Sequence, residues 1–147
     1  MRFADIHAGD VLHAGPRVVT EPEILEFAGR YDPQWFHTDP ARANNGRWHG
    51  LIASGWHTCA IAMELIVGAV LKDSDSYGSP GIDNLKWLEA VRPGDALSLR
   101  VFVLETRASS SGKTGIVRWR WELWNQAQRQ VLELTGTSLF EIGTEST

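Results

Sequence analysis

The stretch Ser54–Leu71, SGWHTCAIAMELIVGAVL, constrains this chain more than any other. Ile61, Leu65, Ile66, Val67, Val70 and Leu71 recur at helical spacing, and Ala60, Ala62 and Met63 fill the remaining faces. A helix that is apolar nearly all round is buried, in a large core or in a membrane. Its 18 residues stand near the lower limit for crossing a bilayer, about 17. Glu64 in the middle and His57 in the first turn oppose a span, since a carboxylate at a helix centre costs about 3 kcal/mol there. The reading is a long helix inside a soluble protein. Such a helix needs a wrapper on several sides.

The start of the helix matters as much. Ser54 has the form of an N-cap and Gly55 admits close approach to its backbone. Free amides at a helix N-terminus, with the positive end of the dipole, can hold an anion or a polarised carbonyl oxygen. The same two residues also suit a plain cap that relieves crowding, and the pattern alone leaves both open.

The rest of the chain supplies the wrapper. Val11–Val19 reads as a first strand, bent or at an edge because of Gly15-Pro16. Thr20 and Glu23 form a capping box, and Ile24, Phe27, Ala28 and Tyr31 follow at i, i+3, i+4, i+7. That helix runs to about Arg30 and stops before Pro33. YDPQWFHTDP then reads as irregular, with one helical turn over residues 39–43, and Asn44–Gly50 as a loop. Lys72–Gly81 reads as an exposed connection. From Ile82 the period becomes two: a strand to Val91, a turn at Arg92-Pro93-Gly94-Asp95, then alternating Leu97, Leu99, Val101 and Val103. Ser109–Gly115 is a loop, and Val117, Trp119, Trp121 and Leu123 mark an aromatic strand face. A turn near residues 125–128 leads to a last strand with Leu132, Leu134, Phe140 and Ile142 on one face, and the tail from Gly143 reads as frayed. One long helix with several long antiparallel strands is an α+β layout, a curved sheet wrapped around a helix.

Composition narrows the function classes. The 147 residues read as one domain, and 14 basic against 18 acidic side chains, net charge −4, leave no basic excess for a nucleic-acid surface. A lone Cys59 cannot make an intrachain disulfide, and MRFADIHAGD lacks the apolar segment of a signal peptide. The expected compartment is the cytoplasm, with no membrane partner.

Asp32 and His37 stand five apart in the irregular segment. A carboxylate and an imidazole together can position a water and exchange its proton. The pair equally suits a turn cap and a packed histidine. A metal set drawn from His37, Asp39, His49 and His57 lacks the i, i+4 spacing of known zinc motifs, and no metal is expected. Ser54 has no Gly-x-Ser-x-Gly setting, and Cys59 lies too far into the apolar run to serve as a nucleophile.

Tyr31-Asp32-Pro33-Gln34-Trp35-Phe36-His37-Thr38-Asp39-Pro40, then Gly50–His57 (GLIASGWH), then Val91-Arg92-Pro93-Gly94-Asp95 before a strand, together resemble the MaoC-like dehydratase family, which includes the (R)-specific enoyl-CoA hydratases. The resemblance covers nearly the whole chain and implies the hot-dog fold. It implies that Asp32 and His37 are the catalytic pair holding the water added across a double bond. It further implies that the Gly55 amide polarises a thioester carbonyl, with Ser54, Trp56, Trp35 and Phe36 near the substrate. The family pattern usually reads Asp-x-Asn-Pro-x-His; here Pro33-Gln34-Trp35 follows Asp32 without an asparagine, and Ser54-Gly55 replaces His-Gly at the helix start.

The expected activity is therefore that of a hydro-lyase, an enoyl-CoA hydratase or 3-hydroxyacyl-CoA dehydratase. No cofactor is expected beyond the CoA or pantetheine carrier of the substrate, and the expected assembly is a homodimer or a multiple of dimers. An acyl-CoA thioesterase and a non-catalytic acyl-CoA-binding module are the rivals, because one fold hosts several functions. The bulk of Trp56, Trp35 and Phe36 leads us to expect a short acyl pocket.

Overall fold

The computed structural model describes residues 1–143. Residues 144–147, most of the tail expected to fray, lie outside them. Strand β1 (Val11–Val18) is followed by helices α1 (Glu21–Tyr31), α2 (Trp35–Thr38), α3 (Pro40–Asn44) and α4 (Gly55–Ile66). Strands β2 (Ser76–Trp87), β3 (Ala96–Ala108), β4 (Thr114–Trp124) and β5 (Gln130–Glu141) complete the chain. The five strands form one sheet in the order β1-β3-β4-β5-β2, and every neighbouring pair is antiparallel.

The local signals act as their chemistry requires. Thr20 accepts from the Glu23 amide while Glu23 reaches back to the Thr20 amide, closing the capping box of α1. The Asp39 carboxylate accepts from the Arg42 amide and starts α3. The strand β1 breaks register between Ala14 and Arg17, at Gly15-Pro16, and lies at the sheet edge. An edge is where a residue without an N–H does least harm to the ladder.

Alternation puts Leu97, Leu99, Val101 and Val103 of β3 and Val117, Trp119, Trp121 and Leu123 of β4 on the buried face. Ile61, Ala62 and Ile66 of α4 pack with them in one core that also takes in Ile24, Leu132 and Phe140. The helix continues past Ile66 as a wider π turn, Val67–Leu71. Among the described residues no helix is long and apolar enough to cross a membrane.

Four expectations need correction. The segment after Pro33 is not irregular: residues 35–38 close one helical turn, with the Asp39 N–H donating to the Trp35 carbonyl. The connection over 72–81 is shorter than expected, because β2 begins at Ser76 and ends at Trp87. Turn-forming Gly78, Pro80 and Gly81 sit inside β2, which tolerates them as an edge strand with three register breaks. Ile142 lies just beyond the end of β5. Finally, α4 is buried on one side only: Trp56 is 58% exposed and Met63 47%. The sheet covers one flank of the helix, and its other apolar flank faces outward beside Ile82, Trp87 and Leu88, which are also exposed.

Candidate active site

The segment between α1 and α4 brings Asp32 and His37 together. Asp32 caps the C-terminus of α1, its N–H donating to the Ala28 carbonyl at 2.9 Å. The α2 turn then carries His37 back across the chain, with the His37 N–H on the Gln34 carbonyl at 2.9 Å. The imidazole is buried, and its Nε2 lies 3.3 Å from Asp32 Oδ2.

The other ring nitrogen decides the chemistry. His37 Nδ1 stands 2.8 Å from the Ile52 carbonyl oxygen, which only accepts, so Nδ1 carries the proton. In the neutral ring the lone pair is then on Nε2, directed at a carboxylate. Two acceptors this close can each take a hydrogen from one water.

Asp32 is held as a carboxylate. Partial burial works to raise its pKa and is the largest single influence. Against it, Gln34 Nε2 donates to Oδ1 at 2.8 Å, Ser54 Oγ donates to Oδ2 at 2.7 Å, and His37 adds its charge; together they hold the pKa below the usual value. Ser54 is fully buried and also caps α4, its Oγ accepting from the Trp56 amide at 3.3 Å. One hydroxyl therefore joins the dyad to the helix start.

Gly55 opens α4, so its N–H has no acceptor within the helix. With Asp32, His37, Gln34, Ile52 and Trp56 it lines a cleft of 370 Å³, closed on the far side by Trp48, Trp87 and residues 88–91. A reacting carbonyl at Gly55 and a water at the dyad would share this cleft. The arrangement suits addition of water to, or its removal from, a group whose carbonyl is polarised by the amide.

Trp35 and Phe36 are a correction: neither lines the cleft. Successive helical residues point about 100° apart, so turning His37 toward Asp32 sends its two predecessors elsewhere. Trp35 packs where a Gly46 Cβ would stand and under the Arg42 guanidinium, 4.4 Å from the ring centre, with Phe36 edge-on at 5.5 Å. His57 is not in the cleft either; it stacks on Phe27 at 4.7 Å, and burial pushes its pKa down. Among the described residues no three His, Cys, Asp or Glu side chains gather as a metal set.

Gln34, Trp48 and Trp87 are among the lining residues that were not singled out from sequence. Gln34 had a signal, since it stands two residues after Asp32, where a side-chain amide can reach back to the carboxylate. Trp87 had none, because it comes from a segment distant in the chain, and Trp48 stands in the loop before α4, where no local pattern marks it.

Comparison with known proteins agrees with this geometry. A family model described as MaoC like domain matches residues 2–122. A MaoC-like dehydratase from Rhodospirillum rubrum is 34% identical, with a TM-score of 0.86 over 94% of each chain. A monoamine oxidase regulatory protein from Archaeoglobus fulgius is 27% identical, with a TM-score of 0.85 over 96% of this chain and 94% of that one. The (R)-hydratase PhaJ1 from Pseudomonas aeruginosa, at 22% identity, shares the fold with a TM-score of 0.74 over 95% of this chain and 84% of its own. The fold is the hot-dog fold, as the sequence led us to expect.

Proposed function

Because this chain belongs to the MaoC-like domain family, we propose that it is a hydro-lyase adding or removing water across the 2,3 bond of an acyl thioester, CoA-linked. The observation that carries the reading is the pairing of His37 Nε2 with Asp32 Oδ2 at 3.3 Å, in one cleft with the Gly55 amide. In the hydration direction, Asp32 and His37 hold a water whose oxygen attacks Cβ of a 2-enoyl thioester. The dyad takes one proton from that water and a proton is delivered to Cα, so the dyad ends as it began. The Gly55 N–H stabilises the oxygen on which negative charge develops. An oriented donor of this kind is worth about 3 kcal/mol in the transition state. No cofactor enters the scheme beyond the carrier of the substrate.

We further propose that the protein works as a homodimer or a multiple of dimers. The outward apolar flank of α4 continues onto exposed residues of β2, which is an unpaired sheet edge. An exposed edge beside an apolar patch is a surface that a second sheet can cover.

The test is incubation with crotonyl-CoA, following loss of enoyl absorbance and release of free thiol in parallel. Enoyl loss without thiol is the expected result. Thiol release would make the protein a thioesterase, with water sent to the carbonyl carbon. Neither change, with acyl-CoA binding intact, would make it a binding module.

A further inference from the structure

Along α4 the cleft ends against Trp87, and beyond that side chain lies a second apolar pocket. Trp87, the last residue of β2, lays its indole directly on Gly55: a Cβ built there would stand 2.5 Å from Cε2 and 2.7 Å from Nε1. No gap remains between ring and helix. The indole N–H donates to the Gly55 carbonyl at 2.8 Å, and Trp56 meets the ring edge-on at 5.3 Å. Beyond it, between α4 and the sheet, is a pocket of 330 Å³ lined by Cys59, Met63, Ile82, Trp121, Leu134 and Gly136 among others. Cys59 stands one helical turn after Gly55, on the same face.

Resting on the hydro-lyase reading above, we propose that Trp87 sets the acyl length this protein accepts, by separating the Asp32–His37 cleft from the apolar pocket beyond Cys59. With its carbonyl at Gly55, a short acyl group fits within the cleft. A longer one directed along α4 must displace a ring held by packing on Gly55, by its hydrogen bond and by Trp56. The pocket behind has the lining an alkyl chain needs, yet the wild-type ring withholds it. Each methylene that reached it would gain about fourfold in binding.

The experiment compares kcat/KM for 2-enoyl-CoA substrates of four and eight carbons, read as the ratio of long to short. In wild type the ratio is expected to be well below one. Trp87→Ala should raise it by about tenfold or more, and Trp87→Phe, which keeps a ring on Gly55, should raise it far less. Adding Met63→Trp to Trp87→Ala refills the pocket from an exposed helix position and should return the ratio toward wild type. Thermal melting and sedimentation of each variant establish that it is folded and assembled. Should Trp87→Ala fail to fold, Trp87→Leu must show a rise in the same direction. A ratio unmoved by truncation overturns this proposal while leaving the hydro-lyase reading intact. Absence of wild-type turnover at every chain length overturns both.

Discussion

Replacing Ser54 by alanine tests the coupling of the dyad to the central helix with the loss of one oxygen. That oxygen donates to Asp32 Oδ2 at 2.7 Å and accepts from the Trp56 amide at 3.3 Å, in a fully buried position. A capping hydroxyl contributes about 1 kcal/mol, and a hydrogen bond to a charged group about 1.5–3 kcal/mol. The long capping contact sits at the weak end, so the expected loss is about 2–3 kcal/mol. For a chain of this size that lowers Tm by roughly 5–10 °C. The sign with pH follows from Asp32. Its folded pKa lies below the usual value. The stabilisation this gives is therefore complete above the unfolded pKa, about 3.9, and is lost as pH falls through the folded value. Removing the Ser54 donor moves the folded pKa upward, so the Tm deficit should be largest near neutrality and shrink toward about pH 3. The acid limb of kcat/KM on a verified substrate should shift upward with it. Melting curves at both pH values and a pH–rate profile make the measurement. An unchanged Tm near neutrality together with an unmoved acid limb would refute the coupling.

Asp32→Asn and His37→Gln should each lower kcat by about 10²- to 10⁴-fold without loss of the folded state; more than a tenth of wild-type kcat in both would remove them from the chemistry. Gly55→Ala places a Cβ 2.5 Å from the Trp87 ring and should cost about 1–3 kcal/mol. A red-shifted tryptophan emission would report the displaced indole, and unchanged emission and Tm would contradict the close packing. Sedimentation at micromolar concentration should find dimers or larger even assemblies, and a monomer there would defeat the proposed assembly.

The fold was legible where two periods changed over. The all-round apolar run of 54–71 and the strict alternation of 97–103 and 117–123 each allow one kind of element, and the structure has both there. Strand β2 was half legible. Its glycines and proline carry the chemistry of a loop, and only its place at a sheet edge lets them stand in a ladder. The nearness of Asp32 to His37 followed from their short separation, but the direction of the side chains between them did not. That depended on residues 35–38 closing a helical turn, which four residues and a proline two places earlier do not announce. The residue now placed at the end of the cleft, Trp87, is 32 positions from Gly55. Nothing local marks such a contact, since it is made by the sheet folding back over the helix.

The two borders of the sheet differ in what they permit. If two copies join along β2, the joined sheet presents β1 at both ends. There Pro16 offers no N–H, and the ladder is already out of step between Ala14 and Arg17. A third copy would find a donor missing and a broken repeat where it needed a straight template. Strand β2 carries Pro80 and three breaks of its own, so what makes its border the inviting one is the apolar flank of α4 beside it, with Ile82 and Trp87 exposed. Growth by sheet extension then terminates at a pair instead of propagating as a fibre, so any higher assembly must be built through faces and not through strands.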